Sequence, residues 1–155
     1  MEGPMQPTPD SLVLESFGLC VLAFVVIVAL HLMGLHAAIR IFRKNFRIEY
    51  VRQLKYHQTV FIILTAMMVM FGLHMATNLA WGVFMYLAGA LSIYRECIFY
   101  SLENYTSLGL TRVNVDDRWR MLAPMISLSG VFCLSWSTAV LVSFFGQLYH
   151  VKLND

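Results

Sequence analysis

The sequence predicts an all-α integral membrane protein with three transmembrane helices and one short re-entrant segment that enters the bilayer and turns back. Three observations carry that prediction. Of the 155 residues, 59% are hydrophobic and 13% charged, with a mean hydropathy of +0.66, whereas a soluble domain carries roughly 25% charged residues. The stretches 12–39, 59–91 and 121–145 are long and apolar enough to supply the roughly 20 residues of a spanning helix. Between the last two lies Tyr100 to Leu110, apolar enough to enter a bilayer but too short and too polar to cross it. Such a segment is tolerated at membrane depth only where protein or a water-filled cavity surrounds it.

Each element can be justified in order. Residues 1–11 hold three of the four prolines and no basic residue, which predicts a disordered extracytoplasmic tail. Residues 12–39 are apolar apart from Glu15, His31 and His36 and form the first span. No Lys or Arg precedes this run, and it exceeds the roughly 7–15 apolar residues of a cleavable signal peptide, so a retained signal anchor is expected. Residues 40–58 form a basic segment with Arg40, Arg43, Lys44, Arg47, Arg52 and Lys55. The 33 residues from Thr59 to Leu91 contain no charge. As helix they would extend about 50 Å against a hydrocarbon core of about 30 Å, and two spans of about 15 residues would be too short. One tilted outer helix over 59–86 fits better, with Trp81, Phe84 and Tyr86 in its interfacial belt and a turn at Leu87–Ala90. A short helix over 93–105, a loop over 106–112, a third span over 120–145 and a tail over 149–155 complete the chain.

Charge orients this arrangement. Six of the 11 basic residues lie between the first two spans and none precedes the first. The positive-inside rule places that segment in the cytoplasm of a cell (inner or plasma) membrane, with the N-terminus outside and the C-terminus inside. Arg95, Arg112, Arg118 and Arg120 then fall outside, where Glu96, Glu103, Asp116 and Asp117 are available as partners. A four-span chain would bring these arginines inside, but span length favours three.

Composition also narrows function. A net charge of +2 gives no basis for nucleic-acid binding. Cys20, Cys97 and Cys133 are odd in number and widely spaced, so they fit neither a disulfide framework nor a metal site and read as packing residues. No glycine-rich phosphate loop, paired-cysteine motif or Ser-His-Asp arrangement is present, and the loops are too short to house an active site. Neither catalysis nor a resident cofactor is expected. The basic segment, interleaved with Phe42, Phe46, Tyr50 and Tyr56, has two readings. It could attract anionic lipid at about 1 kcal/mol per basic residue, or it could serve as a topological determinant and nothing more, the simpler reading.

Four stretches carry a resemblance: Tyr100-Ser101-Leu102, Tyr105-Thr106-Ser107-Leu108-Gly109, and, in the inner-helix run, Arg118-Trp119-Arg120-Met121-Leu122 with Ser135-Trp136-Ser137-Thr138-Ala139. In this order, with Thr106-Ser107-Leu108-Gly109 between two spans, they resemble the pore module of potassium channels, and short bacterial ion-channel-domain proteins of the two-helix pore type in particular. The resemblance covers residues 59–148. It implies a homotetramer, a pore helix at 93–105, and a filter at Thr106, Ser107, Leu108, Gly109, Leu110 and Thr111 whose backbone carbonyls replace an ion's hydration shell. The family filter reads Thr-Val-Gly-Tyr-Gly-Asp. Ser107, Leu108 and Gly109 match it, while Leu110, Thr111 and Arg112 stand where the family has Tyr, Gly and Asp. A β-branched Thr111 poorly replaces a glycine whose backbone an ordinary L-residue reaches only at roughly 1–2 kcal/mol. The resemblance therefore implies a passive channel of atypical selectivity, with an inorganic ion, such as a monovalent cation, permeating. It also implies filter support by a Glu103–Arg112 ion pair, the alternative being that both side chains face solvent.

On the third span, Ser129, Cys133 and Ser137 repeat every four residues beside Gly130. Gly130, Cys133 and Ser137 are inner-pore candidates under the resemblance, and the competing reading is close helix packing through small residues. Pro124 lies in the first turn, where it does little harm. His31, His36 and His74 are intramembrane candidates for metal, haem or proton chemistry. His31 and His36 point about 140° apart on a helix, so His74 is the best buried candidate, with a hydrogen bond to Asn78 expected. A satisfied structural role is the simpler reading of each. The alternatives to a channel are a non-conducting channel-like subunit or scaffold, and a haem- or metal-binding membrane protein.

Overall fold

A computed structural model describes residues 9–45, 56–110 and 113–153. Every regular element among them is helical: α1 (Pro9–Asn45), α2 (Tyr56–Leu87), α3 (Tyr94–Tyr105), a 3-10 turn (Asp117–Trp119) and α4 (Leu122–Leu153). Three stretches, Val13–Lys44, His57–Leu87 and Asp117–Gln147, are long and apolar enough to cross a membrane.

Helix ends follow local chemistry. α1 starts inside the expected tail of 1–11 and runs on past residue 39 into the expected basic segment. Arg43 and Lys44 fall in its last turn, where positive charge offsets the negative end of the helix dipole, so polarity there does not stop the helix. α4 likewise continues past its expected end at 145 to Leu153. Gly146 lowers helix propensity by only about 1 kcal/mol, and no proline follows. α2 ends in a Schellman motif. Gly89 takes φ +69°, its N–H donates to the Tyr86 carbonyl at 3.1 Å, and the Ala90 N–H donates to the Met85 carbonyl at 3.0 Å. The Arg118 N–H donates to Asp116 Oδ1 at 3.1 Å, which caps the turn leading into α4.

Two compact units divide the chain: Met1–Val28 with Asn78–Val131, and Ala29–Thr77 with Phe132–Asp155. In the first, Cys20, Trp81, Met85, Cys97, Leu122 and Ile126 are fully or nearly fully buried. Trp81, Phe84 and Trp119 stack edge to face, at 5.9 Å and 6.5 Å between ring centroids. In the second, His31, Leu35, Ile62 and Ala66 are buried. Phe42 meets Phe144 edge to face at 5.5 Å, and Gly34 leaves room for Leu73, whose Cδ1 would stand 2.6 Å from an added Cβ.

Candidate functional site

The short helix α3 is wedged between α2 and α4 by small residues on both neighbours. A Cβ added to Gly82 would stand 3.3 Å from the Ile98 Cα, and one added to Gly130 would run into the Tyr105 carbonyl oxygen. Hydrogen bonds reinforce both contacts. Ser101 Oγ donates to the Asn78 carbonyl at 3.2 Å, and Ser127 Oγ donates to the Asn104 carbonyl at 2.9 Å. Trp81 Nε1 donates to Ser129 Oγ at 2.9 Å, and that hydroxyl donates on to the Ile126 carbonyl at 2.7 Å. Asn78 lies about 14 Å along α2 from its end at Leu87, and Gly130 about 12 Å along α4 from its start at Leu122. The second half of α3 therefore contacts its neighbours inside their ends, at Asn78 on α2 and at Ser127 and Gly130 on α4.

Beyond Tyr105 the chain turns sharply. The N–H groups of Thr106, Ser107, Leu108 and Gly109 donate back to the Leu102, Asn104, Glu103 and Glu103 carbonyls at 3.1, 2.9, 2.9 and 3.3 Å. This too is a Schellman pattern, with Ser107 at the left-handed position, φ 59°, where glycine is usual. Gly109 repeats the left-handed conformation at φ 61°, while Thr106 before them has φ −86°. Among the described residues, nothing donates to the carbonyls of Thr106 through Leu110. All five residues are exposed, with Leu108 at 63% and Leu110 at 72%. Thr111 and Arg112 lie outside the described residues, and so does the Glu103–Arg112 pair. Glu103 faces a cavity of about 320 Å³ shared with Arg95, Glu96 and Leu110.

Burial bears on the small-residue stripe and corrects one expectation about the histidines. Gly130, Cys133 and Ser137 are turned into their own chain: Gly130 against Tyr105, Cys133 and Ser137 at 1% and 2% exposure. Burial of this kind within one protomer is what the close-packing reading of the small-residue stripe expects. The correction is that His31, and not His74, is the most buried histidine among the described residues. Asn78 Oδ1 is buried without a donor, as Trp119 Nε1 is buried without an acceptor.

His31 joins three helices. Its Nδ1 lies 2.8 Å from Thr77 Oγ1 and its Nε2 3.2 Å from Ser137 Oγ, with the His74 ring 5.0 Å away between centroids. Thr77 spends its single hydroxyl proton on the Leu73 carbonyl at 2.8 Å, so Nδ1 carries the imidazole proton and Nε2 accepts from Ser137. Both ring nitrogens are committed, and His31 could ligate a metal only by giving up one of these bonds. Sequence spacing places His31 and His74 on separate helices and says nothing of this pairing; the hydroxyls of Thr77 and Ser137 within apolar runs were the available signal.

Cys20, Cys97 and Cys133 are free and buried. On α3, burial pushes the Cys97 thiol and the Tyr100 phenol above their ordinary pKa values, so both are neutral and the thiol is unreactive at physiological pH. No protein-family model matches this chain, no curated protein matches its sequence, and no solved structure matches its fold.

Proposed function

We propose that this protein is a protomer of a passive ion channel of atypical selectivity, built on the potassium-channel pore plan as a homotetramer. The observation that carries the reading is the placement of Thr106–Leu110. This loop hangs from a helix that contacts α2 and α4 about 14 Å and 12 Å inside them, at Asn78 and Gly130. Its carbonyls have no donor among the described residues. If the three apolar helices span a bilayer, these carbonyls stand at membrane depth, where polar backbone must be covered by protein or water. Further copies of the chain meet that need, and a ring of four such loops forms a carbonyl-lined constriction. Leu110 and Thr111 replace the aromatic and glycine of the family filter, so potassium selectivity is not part of the proposal. With Ser129, Cys133 and Ser137 turned inward, the exposed flank of α4 carries Leu128, Val131, Phe132 and Trp136. A vestibule lined by such residues would gate by dewetting.

A second reading, a channel-like subunit or scaffold that does not conduct, is favoured by the Schellman turn. It takes up the last carbonyls of α3, which would otherwise face the permeation path. Flux from proteoliposomes separates the two. Purified protein should carry potassium or sodium above protein-free vesicles. Gly109→Val, which forces a β-branched residue to φ 61°, should lower that flux at least about tenfold, for roughly 1–2 kcal/mol or more of backbone strain at each of four loops. Silence toward all cations and anions across pH and voltage would leave the scaffold reading.

A further inference from the structure

We infer that a cavity among α1, α2 and α4 holds one acyl chain of an anionic phospholipid, with the phosphate seated at Arg43. The cavity has a volume of about 320 Å³, at the lower end of the roughly 300–1,000 Å³ of small-molecule sites. Its wall is graded. Arg43 and Gln147 stand at the rim, next to or at the ends of the apolar stretches Val13–Lys44 and Asp117–Gln147. Buried Ala66 and Met70 line it deeper along α2, and exposed Ala139 lines its open side, about 12 Å along α4 from Gln147. A charged rim at the level where spans end, above an apolar interior, has the shape and polarity of a lipid with its headgroup in place.

Charge selects the headgroup. The described residues of this unit, 29–45, 56–77 and 132–153, contain no Asp or Glu, while Arg40, Arg43 and Lys44 crowd the end of α1. Arg43 thus has no carboxylate partner among them, and its planar fork suits two phosphate oxygens. A second copy of the chain would bring the same positive charge to the rim and is disfavoured there. The site is independent of whether ions are conducted.

The test uses the full chain in detergent, with native mass spectrometry reading the binding of phosphatidylglycerol and phosphatidylcholine of matched chains. Phosphatidylglycerol should bind about fivefold more tightly, the factor for one basic residue at an anionic lipid. Arg43→Gln should abolish that preference and Arg43→Lys should restore part of it. Ala139→Phe, or Met70→Trp if the first does not fold, should weaken both lipids while the melting temperature in lipid-free detergent is kept. Three results would overturn the assignment: equal binding of the two lipids, an unchanged preference in Arg43→Gln, or displacement by glycerol phosphate as effective as by intact lipid. The last would mark an anion site that takes no chain.

Discussion

Gly130→Ala is expected to destabilise the protein by about 3 kcal/mol, the upper end of ordinary overpacking. The new methyl would meet the Tyr105 carbonyl, a backbone group held in the last turn of α3. A side chain could rotate aside, but backbone cannot, so α3 must lift from α4. That movement would also strain the bond from Ser127 Oγ to the Asn104 carbonyl. Gly146→Ala is the matched comparison, because nothing lies within 4 Å of a Cβ there and alanine is the better helix former by about 1 kcal/mol. Thermal unfolding in detergent should move the two variants in opposite directions. Equal shifts would mean that α3 does not approach α4 as described.

His31→Ala should cost about 2–4 kcal/mol. Two hydrogen bonds between membrane helices are lost, each worth on average about 0.6 and up to about 1.7 kcal/mol, and a void opens at a site 1% exposed. The tautomer makes a finer claim. Thr77→Val removes the acceptor for Nδ1–H, whereas Ser137→Ala removes the donor to Nε2, and each should cost about 1–2 kcal/mol as one buried imidazole nitrogen loses its partner. A double-mutant cycle between His31 and Ser137 should show a coupling near 1 kcal/mol. A coupling near zero would indicate that the imidazole does not tie α1 to α4. The effect of His31→Ala should also exceed that of His74→Ala, since His74 is only half-buried.

Three apolar helices were legible because hydropathy over a spanning length depends on composition alone, and no tertiary contact is needed to read it. Helix ends were legible where backbone chemistry marks them, as glycine does at Gly89. They were missed at Asn45, where a helix continues through Arg40, Arg43 and Lys44 because charge at its C-terminus is favourable. The facing of α4 was not readable. Apolar residues surround this helix on every side, so the sequence carries no periodic signal of which flank meets protein, and a serine stripe suits a water-lined wall as well as a tight helix contact. Only tertiary contacts reveal the partners that Ser129 and Ser137 take within the chain, Trp81 and His31. The choice between His31 and His74 failed for a related reason: burial depends on the hydroxyl partners that other helices bring. The loop after Tyr105 was marked by Ser107-Leu108-Gly109, but its left-handed alternation at residues 107 and 109 follows from how the amides fold back on α3.

The three shielded thiols have a practical consequence. A maleimide should react with the native fold very slowly and with an opened one quickly, so labelling of Cys20, Cys97 and Cys133 would time the separation of the helices that cover them. Conversely, a thiol engineered into an outward-facing position could be tagged with the natural three left in place.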